Sequence, residues 1–167
     1  MVENKIYRVL DLGAGVGTES LYCASFGAKV DWVDIRKPPS YFTNHPLINI
    51  VKTEIEKFEF NKRYDLIILK FVLPFLEEKF IHDNLFPDII ESFNIGGFLL
   101  INGFCKKDDN LCLPGSTVFF SKKDLEKYLA PLVLKNYEEY KKEYIKSGHK
   151  KYMHSVQIAV FRKENDD

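Results

Sequence analysis

The chain has 167 residues, of which 46% are hydrophobic and 14% aromatic. That length supports one well-buried core and is too short for two ordinary domains, so residues 1–167 are predicted to form a single domain. Lysine plus arginine equals aspartate plus glutamate at 24 each, so the formal charge of +0 draws the chain neither to nucleic acid nor to a membrane surface.

The N-terminal segment, the lack of long apolar stretches and the cysteines indicate the cellular compartment. The opening MVENKIYRVL lacks the apolar region of a signal peptide, and no apolar stretch approaches the roughly 18 residues of a membrane span, so a cytoplasmic location is predicted. Cys23, Cys105 and Cys112 have no spacing typical of a disulfide or metal framework. They are predicted to be reduced, mostly packed thiols, and no metal site is predicted.

The segment VLDLGAGVGTES at residues 9–20 is typical of a strand, a tight turn and a helix. Gly13, Gly15 and Gly17 allow a turn whose backbone can lie against a ligand without Cβ interference. A second strand is predicted from residue 29 to 33, and Asp34 follows it, about 20 residues after the first glycine. At that interval a carboxylate can reach the paired hydroxyls of an adenosine ribose.

The glycine spacing distinguishes two nucleotide cofactors. A dinucleotide fingerprint needs G-x-G-x-x-G, whereas this chain has G-x-G-x-G with Thr18 in place of the third glycine, which argues against NAD. With Asp11 just ahead of the glycines, the segment resembles motif I of the class I S-adenosylmethionine-dependent methyltransferases, whose acidic residue organises the methionine end of the cofactor. A tight turn that binds nothing is the alternative, and Asp34 disfavours it.

The resemblance implies S-adenosylmethionine as the cofactor and a set of residues that contact it. From motif I and the end of the second strand, this set is Asp11, Gly13, Ala14, Gly15, Gly17, Asp34 and Ile35.

The connection after Asp34 contains three prolines, so little room is left for a helix before the next predicted strand, Ile48 to Lys52. In the resembled family, the end of the third strand places an acidic or polar side chain beside the adenine. Glu54, with Ile55 next to it, is the matching position. A solvated carboxylate on a charged loop is the alternative reading of Glu54.

Residues 64–76, YDLIILKFVLPFL, predict a near-continuous apolar strand of the kind that is covered on both faces in a parallel sheet. Because ligands lie outside the carboxyl ends of such strands, Lys70 and Phe71 are predicted at the mouth of the cofactor site. The absence of an Asn-Pro-Pro-Tyr type motif here disfavours an amino-directed nucleic-acid methyltransferase. Lys70 either steers an anionic substrate or ends the strand in solvent, and solvent is favoured.

The middle of the chain reads as a helix followed by a strand. Residues 77–93 are predicted to be helical with an interruption at Pro87, and residues 94–104 to form a turn and a fifth strand. His82 and Asp83 in the helical region are assigned no role.

The last third of the chain resembles the tellurite-resistance-type small-molecule methyltransferases. Ser121 is predicted to cap a helix over residues 122–129, with Asp124 completing a capping box. A hairpin follows, whose last strand would enter the sheet antiparallel. In that family this region closes over the substrate, and the matching side chains are Glu139 and His154, with His149 nearby.

These three side chains are the first general bases to test for an oxygen or amine acceptor, whereas a thiolate or metalloid oxyanion needs no base. The tail also reads as a lysine-rich solvated hairpin, or as a basic aromatic face for RNA. The neutral charge of the chain argues against RNA.

The expected architecture is a single Rossmann-like α/β domain of the class I methyltransferase fold, with a mostly parallel sheet and an antiparallel last strand. The first strand is predicted within a dozen residues of the start, so the leading helices of the resembled family are expected to be missing. Such helices normally help to cover the active site, so an open pocket or a homodimer that supplies the lid is expected. The helix between the second and third strands is expected to be reduced or absent.

The predicted function is methyl transfer from S-adenosylmethionine to a small-molecule acceptor, with no membrane partner. Two alternatives remain open: a methyltransferase that acts on RNA or protein, and a non-catalytic subunit that binds the cofactor for a partner chain.

Overall fold

The computed structural model describes residues 6–42, 44–104, 118–146 and 150–165. The strands form one seven-stranded sheet in the order β3-β2-β1-β4-β5-β7-β6. Their bounds are β1 (Arg8–Leu12), β2 (Lys29–Asp34), β3 (Ile48–Lys52), β4 (Tyr64–Lys70), β5 (Phe93–Phe104), β6 (Val133–Lys146) and β7 (Lys150–Arg162). Cys105, Cys112 and His149 lie outside the described residues.

The direction of the strands confirms the predicted α/β architecture. The pairs β1 with β2, β1 with β4, β2 with β3 and β4 with β5 are parallel. β7 is antiparallel to both of its neighbours, β5 and β6. The carboxyl ends of β1 to β5 therefore meet at one edge of the sheet, where ligands bind in open α/β folds.

The helices occupy the connections that the sequence predicts. α1 (Thr18–Ser25) follows the glycine turn, and α4 (Lys122–Tyr128) begins with the predicted capping box between Ser121 and Asp124. The predicted interruption in the middle helix is also present. α2 (Glu78–Phe80) passes through a π-helical turn (Ile81–Leu85) into α3 (Phe86–Glu91), because Pro87 has no amide hydrogen to donate to the preceding turn.

The predicted strand over residues 64–76 is wrong at its end. β4 stops at Lys70, and a 3-10 helix (Leu73–Phe75) follows it. Phe71 takes a positive φ of 54°, which turns the chain away from the sheet, and Pro74 cannot donate a ladder hydrogen bond. The apolar run therefore continues from a strand into a buried turn rather than along one strand.

The core lies on both faces of the sheet because strand residues alternate between them. Leu10 and Leu12 of β1 pack in the larger cluster, which also contains Phe86 of α3 and Leu125 of α4. Val9 packs on the opposite face, in a smaller cluster with Ala24 of α1.

The connection between β2 and β3 contains only a 3-10 helix (Ser40–Phe42) in the described residues, as the three prolines predict. Phe42 covers part of that face instead of a longer helix. Its ring is buried and meets Trp32 of β2 edge-on, with ring centroids 6.2 Å apart. No helix within the described ranges is long and apolar enough to cross a membrane.

Candidate functional site

A cavity of about 540 Å³ opens at the carboxyl ends of the first four strands. Its volume falls within the range of small-molecule sites. The described lining residues are Gly13, Asp34, Ile35, Arg36, Thr53, Glu54, Ile55, Glu56, Lys70, Phe71, Val72, Phe75 and Leu76. The structure thus brings together seven of the residues predicted to contact the cofactor: Gly13, Asp34, Ile35, Glu54, Ile55, Lys70 and Phe71.

The glycine turn is tied to the end of β2. The amides of Gly13 and Ala14 donate to the carbonyl oxygen of Val33, over 2.8 Å and 3.1 Å. Gly13 has a φ of 70°, and a Cβ built on it would lie 2.6 Å from Cγ2 of Val72. A glycine at this position therefore lets the turn approach the segment after β4 and form one wall of the cavity.

Asp34 ends β2 with its carboxylate next to the glycine turn. The side chain is 5% exposed, and the Gly15 amide donates to Oδ2 over 2.7 Å. The Arg36 amide donates to Oδ1 over 2.8 Å. Burial alone would raise the pKa of Asp34, but these bonds and those from the Arg36 side chain outweigh it and hold the pKa below its usual value. The carboxylate is therefore ionised and aimed at the turn.

Asp11 is placed differently, behind the glycine turn and not among the described lining residues. It is 1% exposed, and the Ser20 hydroxyl donates to its Oδ2 over 2.6 Å. Burial raises its pKa to about 6 although this bond opposes the shift. A role at the methionine end of the cofactor stays a prediction, and Asp11 could act there only through the turn and α1.

Three other motif residues also lie away from the described lining of the cavity. Ala14 is buried in the cluster that contains Trp32 and Phe42. A Cβ on Gly15 would lie 2.7 Å from Nη2 of Arg36, and a Cβ on Gly17 would lie 2.0 Å from Cζ of Phe42. Gly17 therefore leaves room for a core side chain, and its predicted cofactor contact is untested.

The segment after β3 supplies one charged and one apolar side chain. Glu54 is half exposed and pairs with Lys57 over 2.8 Å, whereas Ile55 is buried and packs on the larger core cluster. Both line the cavity. Their predicted place beside an adenine is compatible with this geometry and stays a prediction.

The last residue of β4 is a cation, Lys70, and the residue after it, Phe71, is a strained aromatic residue. Lys70 lines the cavity and forms an ion pair with Glu19 of α1, so it is not simply a solvated strand end. Phe71 donates its amide to the carbonyl oxygen of Asn102 over 2.7 Å, and its ring centroid is 4.9 Å from that of Phe104. A positive φ in a bulky residue costs about 1–3 kcal/mol and is found most often at functional sites.

The candidate bases near the C-terminus are not brought to the described lining of this cavity. Glu139 is exposed on β6, with its Oε1 2.5 Å from the Tyr137 hydroxyl. His154 is half-buried on β7, with its ring centroid 5.6 Å from that of Phe104. His154 thus lies next to Phe104, whose ring in turn lies next to Phe71 of the cavity lining. A catalytic role for Glu139, His154 or His149 is untested.

The residues present fit an adenosine-containing cofactor. Asp34 offers an ionised carboxylate at the edge of the cavity, and Gly13 holds the turn close to it. Ile35 is 63% exposed although it is apolar, so it presents an unpacked surface on which a flat ring could lie. A carboxylate for the ribose hydroxyls and an apolar surface for the adenine ring are the two features that an adenosine needs.

A family comparison agrees with this geometry. The family model described as "Tellurite resistance protein TehB" matches residues 4–158. The chain belongs to the TehB family.

Individual TehB proteins match at lower coverage. The probable S-adenosyl-L-methionine-dependent methyltransferase TehB of Haemophilus influenzae (strain 10810) is 27% identical over 138 residues, which cover 79% of this chain and 48% of the relative. The TehB of the Rd strain matches equally. The chain thus spans about half the length of the curated relatives it matches.

Solved structures agree on the fold. The crystal structure of TehB from Haemophilus influenzae superposes with a TM-score of 0.79 at 24% identity, covering 93% of this chain and 57% of that one. The N-methyltransferase NodS from Bradyrhizobium japonicum WM9 superposes with a TM-score of 0.74 at 16% identity, covering 96% and 79%. Both likenesses place this TehB-family chain in the Rossmann-like methyltransferase fold.

Sequence reasoning missed several lining residues of the TehB-family cavity, above all Arg36. Its position was a usable signal, because Arg36 is a cation two positions after Asp34, and both side chains lie at the end of β2. Phe75 and Leu76 were assigned to a strand instead of a turn. No pattern in the sequence indicated that Phe71 would take a positive φ.

Proposed function

We propose that this chain transfers a methyl group from S-adenosylmethionine to a small-molecule acceptor. The observation that carries the proposal is the position of Asp34, whose ionised carboxylate borders the same cavity as Gly13 and the exposed apolar side chain of Ile35. A carboxylate at the end of the second strand of such a sheet is suited to the paired hydroxyls of a ribose.

Related proteins support both halves of the proposal. The Haemophilus influenzae relative is described as a probable S-adenosyl-L-methionine-dependent methyltransferase, and the NodS structure contains S-adenosylhomocysteine. A Burkholderia thailandensis N1-methyltransferase of the same fold contains S-adenosylhomocysteine and 1,6-didemethyltoxoflavin, which is a small molecule.

The bound cofactor would supply an electrophilic methyl group, so no nucleophile from the protein is required. Asp34 would accept hydrogen bonds from the ribose hydroxyls, and the Gly13 turn would hold the cofactor at the strand ends. Phe71, Phe75 and Leu76 line the cavity and would exclude water from the transfer. Orientation of the acceptor against the methyl group would provide most of the rate enhancement.

The need for a general base depends on the acceptor. A thiolate or a metalloid oxyanion attacks without losing a proton, so a described cavity lining without Glu139 and His154 is compatible with such acceptors. An oxygen or amine acceptor would need one of the bases proposed from the sequence, His154, His149 or Glu139.

Thermal unfolding with S-adenosylhomocysteine and, separately, with NADH tests the cofactor. A ligand at 100 times its dissociation constant adds about 2.7 kcal/mol, which should raise the midpoint by several degrees. A rise with S-adenosylhomocysteine alone supports the proposal. A higher midpoint with NADH alone, or an unchanged midpoint with both ligands, would contradict it.

An acceptor screen then tests the substrate class. Formation of S-adenosylhomocysteine in the presence of thiols, metalloid oxyanions and small amines supports a small-molecule acceptor. Product formation with RNA or protein only would overturn that half of the proposal, and cofactor binding without product from any acceptor would favour a non-catalytic subunit.

A homodimer is also proposed. β6 is an edge strand of the sheet, and residues 141–146 of β6 pair with residues 150–155 of β7 in a ribbon beyond the last paired residue of β5. An edge strand is the place where a strand of a second copy could add to the sheet. Light scattering of the eluted protein should give twice the mass of 19.5 kDa, and a single-chain mass would contradict the dimer.

A further inference from the structure

We propose that Arg36 is an internal competitor for the cofactor, because its guanidinium holds the positions on Asp34 that the ribose hydroxyls need. The side chain would have to leave before an adenosine cofactor could bind. The inference rests on the proposed function, since it requires that Asp34 receive a ribose.

The hydrogen bonds to Asp34 show why the two ligands exclude each other. A carboxylate has about four acceptor sites. Backbone amides take one on each oxygen, from Gly15 to Oδ2 and from Arg36 to Oδ1. The Arg36 side chain takes the other two, with Nε 3.0 Å from Oδ1 and Nη2 3.2 Å from Oδ2. A vicinal diol that donates one hydrogen bond to each oxygen needs the same two sites.

The guanidinium also covers the turn that the cofactor would contact. Nη2 of Arg36 lies 2.7 Å from the position of a Cβ built on Gly15. Arg36 itself lines the cavity, together with Gly13 and Ile35. The side chain therefore occupies space over the glycine turn as well as acceptor sites on the acid.

Little else holds Arg36 in this position. Its side chain is 64% exposed, whereas that of Asp34 is 5% exposed. Within the described residues, the hydrogen bonds of its guanidinium are those to Asp34. An ion pair with one exposed member contributes little to stability, so a cofactor could displace the guanidinium at the cost of about a two- to tenfold loss of affinity.

Calorimetric titration with S-adenosylhomocysteine tests the inference on four proteins: wild type, Arg36→Gln, Arg36→Lys and Lys37→Gln. Arg36→Gln should bind about two- to tenfold more tightly than wild type, because it lacks the competing charge. Arg36→Lys should fall between them, since an ammonium keeps the charge without the two-pronged geometry. Lys37→Gln removes an exposed charge at the next position and should bind like wild type.

Salt provides a second readout on the same proteins. Salt screens the exposed guanidinium, so affinity for S-adenosylhomocysteine should rise between 50 mM and 500 mM salt in wild type and change less in Arg36→Gln. Equal or weaker binding by Arg36→Gln would overturn the inference, and weaker binding would instead assign Arg36 to holding the cofactor.

A measurement without ligand separates this inference from the proposed function. The Asp34 carboxyl should titrate at higher pH in Arg36→Gln than in wild type when followed by NMR, because the cation is gone. If wild type binds S-adenosylhomocysteine and Arg36→Gln binds no more tightly, only the competition is contradicted. If neither protein binds it although Asp34 titrates as expected, the proposed function fails, and the competition fails with it.

Discussion

Ser20 in α1 donates a hydrogen bond of 2.6 Å to Oδ2 of Asp11, so the helix after the glycine turn is tied to the strand before it. Both side chains are buried. The hydrogen bond lowers the pKa of Asp11, but burial raises it more, to about 6. An ionised Asp11 therefore lowers the stability of the folded chain at neutral pH.

The first prediction concerns that acid. The pKa of Asp11 is about 6 in the folded protein, compared with an ordinary value of 3.8. The stability that the protonated carboxyl contributes is therefore fully present below about pH 4 and is lost as the pH rises through 6. Asp11→Asn stays neutral at every pH. Its free energy of unfolding, relative to wild type, should therefore rise by about 2–3 kcal/mol between pH 4 and pH 7. Urea unfolding at several pH values measures this difference.

The control for Asp11→Asn is Asp83→Asn, which removes an exposed carboxyl from the π-helical turn. The pH dependence of its unfolding free energy should follow that of wild type. Parallel pH curves for Asp11→Asn and wild type would show that Asp11 is not a strained buried acid.

The second prediction compares two glycines with positive φ. Gly17 has a φ of 73°, and a Cβ there would lie 2.0 Å from the Phe42 ring. Gly27 has a φ of 86° and nothing within 4 Å of its Cβ position. Gly27→Ala should cost about 1–2 kcal/mol of unfolding free energy from backbone strain alone, and Gly17→Ala should cost at least about 2 kcal/mol more. Urea unfolding measures both.

The excess cost of Gly17→Ala has a specific source that a double mutant can test. Phe42→Ala removes the ring that the new Cβ would meet, so the two substitutions together should cost less than their sum. Strict additivity would mean that Gly17 is needed for its backbone conformation and not for the packing of Phe42.

The third prediction concerns the acid of the cavity. Asp34→Ala removes the proposed acceptor of two ribose hydrogen bonds, so the free energy of binding S-adenosylhomocysteine should weaken by about 1.5–3 kcal/mol. The comparison is best made in the Arg36→Gln background, where the loss of the Asp34 to Arg36 ion pair cannot contribute. Calorimetric titration measures the change, and unchanged affinity would reject the ribose assignment.

The fourth prediction concerns a buried amide that sequence patterns assign only to a strand. Gln157 of β7 is buried, donates to the carbonyl oxygen of Phe120 over 2.7 Å and lies 2.9 Å from the Tyr137 hydroxyl. Gln157→Leu leaves that carbonyl without its donor and should lower the unfolding free energy by about 1–3 kcal/mol. Tyr137→Phe takes one donor from Oε1 of Gln157 but keeps the bond to Phe120, so it should cost less than Gln157→Leu. The opposite order, in urea unfolding, would place the main interaction at the tyrosine.

Much of the fold follows from local patterns. The short apolar runs and the glycine turn predict β1, α1 and β2, and the Ser121 capping box predicts the start of α4. These features depend on neighbours a few residues apart, so they can be read along the chain. The same holds for Asp34, because the end of a strand and the interval from the glycines place it at the ligand edge of the sheet.

The sequence alone therefore determined the fold class, the antiparallel last strand and the candidate acid, Asp34. The tertiary structure alone decided which side chain donates hydrogen bonds to that acid, where β4 ends and which side chain fills the space beside Gly17. Arg36, Phe71 and Phe42 depend on contacts between segments that are distant in sequence or on a strained backbone angle. Such contacts leave no periodic pattern, because their energy comes from packing and charge across the folded sheet rather than from local conformation.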